Sequence, residues 1–162
     1  MLIGRPAPDF RMPTTRDLNT LEDEATLADY RGKWLVLVFY SFDFSPLCPV
    51  EMGAFNDVVP ALAERDAEIL AVSTDSIFTH AGWLEFNLGK LDFPLASDRS
   101  TVVSQAYGVL DEGSSVRATF IIDPEGVVRH LTVHDHSLAR SAEDVVRVLT
   151  ALQADGPFGR KI

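Results

Sequence analysis

Cysteine is nearly absent from this chain: Cys48 is the only one in 162 residues. No intrachain disulfide can form, which fits a reducing compartment. Basic residues are also few, 14 against 24 acidic, for a net charge of −10. A nucleic-acid partner needs a basic face, so that balance argues against one. No apolar run approaches the roughly 20 residues that cross a bilayer. The longest, Trp34 to Tyr40, is far shorter. The start, Met1-Leu2-Ile3-Gly4-Arg5-Pro6, lacks the apolar centre of a signal peptide. A cytoplasmic protein with no membrane partner is therefore expected. Internal repeats, low-complexity tracts, linkers, Gly-rich phosphate loops and Ser-His-Asp arrangements are missing too. Hydrophobic residues make up 46% of the chain, enough for a core without staples. One domain over residues 1–162 is expected.

Along the chain, Phe10 to Leu21 reads as two short strands around a turn. Trp34 to Tyr40 is continuously apolar, which predicts a strand buried on both faces. Met52, Phe55, Val58, Val59 and Leu62 recur at helical spacing, predicting a helix from about Pro49 to Ala63. Ala67 to Ser73 is a second buried strand. Thr74-Asp75-Ser76 offers caps for a helix around Thr79 to Phe86. Asp98 and Ser100 are candidate caps for a short helix ending at Tyr107-Gly108. Ala118 to Ile122, the turn Asp123-Pro124-Glu125-Gly126, and Val127 to Val133 form a predicted hairpin. Ser141 to Asp144 opens a last helix that packs through Val145, Val146, Val148, Leu149 and Leu152. This order implies an α/β fold, a mixed sheet with helices on both faces, in the thioredoxin-like layout.

Cys48 falls where the first buried strand feeds a helix N-terminus. Unpaired N–H groups and the helix dipole favour an anion there. A thiol so placed tends toward the reactive thiolate. A free cysteine is otherwise a small hydrophobe, but Ser45, Pro46 and Pro49 mark a turn here rather than a core strand.

The segment Ser41-Phe42-Asp43-Phe44-Ser45-Pro46-Leu47-Cys48 resembles the Pro-x-x-x-Thr/Ser-x-x-Cys signature of the peroxiredoxins, the AhpC/TSA family. Similar pieces follow in the family's order. They are Arg31-Gly32-Lys33, Ala71 to Ser76, His80 with Trp83, Phe93 to Asp98, Gln105 to Val109, and Arg117 to Asp123. Each alone is unspecific; their order, spanning Gly4 to Leu152, carries the resemblance, which is nearest the typical two-cysteine branch. It implies a thiol-dependent peroxidase acting on hydrogen peroxide or organic hydroperoxides, with no cofactor or metal. Cys48 is then the peroxidatic cysteine. Ser45 supplies a hydroxyl to the peroxide. Arg117 supplies the cation beside the thiolate. Glu51 orients that arginine, and Arg140 supports the pair. On local grounds alone, Arg117 reads as a surface charge, Ser45 as a turn former, and Glu51 as favourable against the helix dipole.

Two departures stand out. Ser41 replaces the signature proline, restoring an N–H and removing a φ restraint. The tail Asp155 to Ile162 holds no resolving cysteine, so the resemblance implies a one-cysteine mechanism. The sulfenic acid then needs an external thiol: thioredoxin, glutaredoxin or a small thiol. A homodimer, or a ring of dimers, is implied through edge strand Val127 to Val133. The alternatives are a thioredoxin-fold monothiol redox sensor or disulfide-exchange protein, and a non-catalytic oligomeric scaffold or holdase. His80, His130, His134 and His136 invite a metal reading, but His134-Asp135-His136 reads better as a solvated loop.

Overall fold

Every residue of strand β3 (Trp34–Phe39) is buried, because its side chains alternate into two separate cores. The computed structural model describes residues 1–155. Residues 156–162 of the tail in which a resolving cysteine was sought lie outside the described residues. Leu35, Leu37 and Phe39 face one cluster with Leu70, Val72, Phe120 and Ile122. Trp34, Val36 and Val38 face the other with Met52, Phe55, Trp83 and Leu149. A strand apolar on both faces belongs in the middle of a covered sheet, and β3 is the central strand of five.

That sheet has the order β5-β4-β3-β8-β9. Here β4 is Ala67–Ser73, β5 Leu95–Ser97, β8 Arg117–Ile122 and β9 Val128–His134. Strands β3, β4 and β5 run parallel, while β8 is antiparallel to β3 and to β9. Helices α1 (Cys48–Asp57), α2 (Val59–Ala63), α3 (Ile77–Trp83) and α5 (Ala142–Asp155) supply side chains to one core. Helix α4 (Val102–Ala106) and the N-terminal segment cover the other. The mixed, doubly covered sheet expected from the sequence is present. Among the described residues, β9 is a sheet edge, and no helix is long and apolar enough to cross a membrane.

Several boundaries moved, each for a local reason. The first hairpin is β1 (Arg11–Pro13) with β2 (Glu24–Thr26), later than predicted. Asp17 accepts from the Asn19 amide and the Thr20 hydroxyl, and Asp23 from Thr14 and Arg16. These side-chain bonds hold 14–23 as a loop instead of a second strand. The predicted helix from Pro49 to Ala63 breaks at Val58. Pro60 has no N–H for the ladder there. Ser76 caps α3 through the Thr79 amide, and a π-turn (Leu84–Leu88) follows. Thr101, with φ of 65°, stands at the N-cap of α4 instead of Ser100. Asp98 still accepts from the Val103 and Ser104 amides. A small hairpin, β6 (Leu110–Asp111) with β7 (Ser114–Ser115), was not foreseen. The Asp123 turn formed as predicted, with Gly126 at φ 83°. That positive φ favours glycine, and a Cβ there would also stand 3.1 Å from the Arg31 guanidinium carbon, which would have to shift.

Candidate active site

Strand β3 ends at Phe39, and a tight loop delivers Cys48 as the first residue of α1. The loop contains Phe44 at φ 62°, in the left-handed region. Such a conformation costs about 1–3 kcal/mol in a non-glycine residue and persists only when its surroundings enforce it. Asp43 provides that enforcement. Its amide donates to Asp75 Oδ2 at 2.8 Å, and Tyr40 Oη donates to its Oδ1 at 2.6 Å. Its Oδ2 lies 2.6 Å from His80 Nδ1, while His80 Nε2 donates to the Ala96 carbonyl at 2.9 Å. Burial pushes the Tyr40 phenol well above its ordinary range, and the Asp43 charge adds to that shift, so Tyr40 remains a donor.

The Cys48 sulfur is fully buried. Two donors face it. Arg117 Nη1 lies 3.4 Å away and Ser41 Oγ 3.6 Å away. Arg117 opens β8, and two groups hold it in place. Its Nη1 donates to Glu51 Oε1, and its Nε donates to the His136 carbonyl at 2.9 Å. Arg140, just before α5, binds Glu51 Oε2 through its amide at 2.7 Å and its Nε at 2.9 Å. Its Nη1 donates to the carbonyls of Phe39 and Ala118 at 2.7 and 2.9 Å. One guanidinium thus ties the ends of β3 and β8 to the first turn of α1. Burial alone would raise the Glu51 carboxyl. The Arg140 bonds and charge, with Arg117, outweigh it and hold Glu51 below its usual range.

Ser45 is buried, yet its Oγ has no hydrogen-bond partner among the described residues. A buried hydroxyl left unpaired costs free energy, so this one stands available to a small polar ligand. All five predicted site residues are therefore buried in the region where β3, β8 and α1 meet. The arrangement can stabilise an anionic sulfur and negative charge developing beside it.

Sequence reasoning missed the Asp43–His80–Tyr40 support. Its signal was a lone acid inside an apolar loop and a histidine on the Trp83 face of a helix. His136 contributes its backbone carbonyl, which no side-chain pattern reveals. Among the described residues, Asp43, Asp75 and His80 form the cluster with metal-ligating side chains. Asp43 Oδ2 meets His80 Nδ1, and Asp75 Oδ2 accepts from the Asp43 amide and the Ser73 hydroxyl, which explains the cluster as a brace for the loop. A surface groove of about 820 Å³, lined by Thr15, Leu84, Lys90 and Phe93 among others, includes none of the residues around Cys48.

The chain matches known proteins along most of its length. Residues 3–131 match the model of the AhpC/TSA family. The chain is 44% identical to peroxiredoxin-2 of Rattus norvegicus, over 97% of this chain and 82% of that one. It is 42% identical to peroxiredoxin tpx1 of Schizosaccharomyces pombe, over 93% and 81% respectively. The crystal structure of AhpC from Enterococcus faecalis superposes with a TM-score of 0.92 at 34% identity. That superposition covers 99% of this chain and 98% of the other.

Proposed function

The chain belongs to the AhpC/TSA family, and on that premise we propose that it is a thiol peroxidase whose reacting atom is the sulfur of Cys48. The observation that carries this reading is the Arg117 guanidinium 3.4 Å from that sulfur, held there by Glu51. The thiolate attacks the proximal oxygen of hydrogen peroxide or a small organic hydroperoxide. The O–O bond breaks, and its electron pair leaves on the distal oxygen as hydroxide or alkoxide, which takes a proton. Sulfur is oxidised by two electrons to a sulfenic acid, and the peroxide is reduced to water or an alcohol. Arg117 meets the negative charge as it moves from sulfur to the leaving oxygen. The unpaired Ser45 hydroxyl bonds the bound peroxide. Glu51 and Arg140 position Arg117.

Reduction follows a one-cysteine route, because Cys48 is the only cysteine of the 162 residues. An external thiol attacks the sulfenic sulfur, releasing water and forming a mixed disulfide, and a second thiol frees Cys48. Thioredoxin, glutaredoxin and small thiols all have the needed chemistry. Cys48 is fully buried, so a protein reductant needs the 41–47 loop or the first turn of α1 to open. Dependence on a free thiol suits a reducing compartment, the cytoplasm. Among the described residues β9 is a sheet edge, bridged at Val128 by Gly4 and Arg5, and the strand beyond that bridge is suited to pairing with a second copy. A homodimer is expected by sedimentation at micromolar concentration, and a monomer would contradict it.

The test is Arg117→Ala, assayed with hydrogen peroxide and an excess of small thiol, beside its sedimentation profile. A peroxidase loses most of its turnover, a hundredfold or more on the scale of removing one preorganised donor, about 10²–10³. A scaffold or disulfide-exchange protein keeps its function and its assembly.

A further inference from the structure

Ser41 stands where the family signature has proline, and its side chain is not idle. It is 3% exposed, and its Oγ lies 3.6 Å from Cys48 Sγ. No other hydrogen bond to that hydroxyl is found among the described residues, yet it does not count as unpaired, because the sulfur is its partner. A thiolate carries no proton, so in that state the hydroxyl is the only group of the pair that can donate. Sulfur's large radius makes the separation suitable for such a bond.

We propose that Ser41 is a catalytic residue of this protein, donating its hydroxyl hydrogen to the Cys48 thiolate beside Arg117. The sulfur then has two donors from opposite sources, a guanidinium from β8 and a hydroxyl from the loop before α1. A proline at this position cannot offer the second. The inference deepens the peroxidase reading and rests on Cys48 reacting as a thiolate. It explains how a site that gave up the proline restraint still holds its nucleophile. The loop remains fixed by the Asp43 brace, and the exchanged residue adds a contact to the sulfur itself.

The experiment compares the native chain with Ser41→Ala and Ser41→Thr on two readouts. One is the ultraviolet absorbance band of the thiolate at neutral pH. The other is the rate at which hydrogen peroxide produces trappable sulfenic acid. A hydrogen bond to a charged group supports an effect of about tenfold or more on that rate. Ser41→Ala is expected to lose thiolate absorbance and to react about tenfold more slowly, while Ser41→Thr, which keeps the hydroxyl, retains both. Circular dichroism and melting of Ser41→Ala confirm that the fold is unchanged. If Ser41→Ala matches the native chain on both readouts, the proposal is overturned. If the native chain itself forms sulfenic acid no faster than a free thiol, the peroxidase reading fails. The thiolate band then still decides whether Ser41 donates to the sulfur.

Discussion

Glu51 and Arg140 are joined by three hydrogen bonds: the Arg140 amide and Nε to Oε2, and Nη2 to Oε1 at 2.7, 2.9 and 3.1 Å. Both side chains are essentially inaccessible to solvent. Oε1 also accepts from Arg117, which reaches Cys48. Arg140 therefore acts on the sulfur through two intermediaries, and its own substitution reports on the whole bridge.

Arg140→Ala removes one partner of a buried pair and leaves the Phe39 and Ala118 carbonyls without their donor. Breaking such a pair typically costs about 3–5 kcal/mol. At about 2–4 °C per kcal/mol for a chain of this size, the melting temperature is expected to drop by roughly 6 °C or more. Peroxide reactivity should fall with it, because Glu51 is no longer held in register for Arg117. An unchanged melting curve would contradict the bridge.

Acid should weaken the fold through Glu51. Its carboxyl is held below the ordinary value of 4.5 in the folded chain. A depressed folded value means the stabilisation is fully present above the unfolded value. It is lost as pH falls through the folded one. Urea midpoints should therefore decline below about pH 4.5 in the native chain. In Glu51→Gln the midpoint should start lower at neutral pH and fall less steeply over that window. Parallel curves for the two proteins would rule out Glu51 as a contributor.

Much of this was readable in advance, for identifiable reasons. Trp34 to Phe39 is continuously apolar, and Ala67 to Ser73 is interrupted only by the exposed Glu68 before its closing serine; a strand that buries both faces belongs inside the sheet. Asp123 to Gly126 carries its own turn chemistry, with the Asp123 carboxylate accepting from Glu125 and Val127. Cys48, Ser45, Glu51, Arg117 and Arg140 were named from the family resemblance, and all five are buried in the structure. The His80 brace was not, because it depends on residues 37 apart in the chain meeting between a loop and helix α3. The second strand of the first hairpin was misplaced because Asp17 and Asp23 bind backbone and side chains that a strand would have used. Ser41 looked like a loss, since its contact with the sulfur is tertiary.

Removing the brace should loosen the loop without touching the sulfur. His80→Ala leaves Asp43 Oδ2 without its ring partner in a closed interior. Hydrogen exchange of the 41–47 amides is expected to accelerate about tenfold or more, at a cost near the 1–3 kcal/mol of an unsatisfied buried group. Exchange in the 123–127 turn, at the opposite end of the sheet, should change less. Uniform acceleration throughout would mean global destabilisation only.

Ser45 offers the opposite sign. Its buried hydroxyl has no partner among the described residues, so Ser45→Ala deletes an unsatisfied group. Stability should hold or rise by up to about 1 kcal/mol, while sulfenic acid formation slows by about tenfold. Melting and stopped-flow trapping on the same preparation check both halves. A variant that loses stability but keeps its rate would place Ser45 in the architecture alone.

The most direct measurement is intact-mass analysis of the reduced protein after an equimolar addition of hydrogen peroxide in the presence of a sulfenic-acid trap, beside Cys48→Ser. Rapid adduct formation at Cys48, absent from Cys48→Ser, is the expected result. Labelling no faster than an ordinary free thiol would contradict a peroxidase built on Cys48 and Arg117.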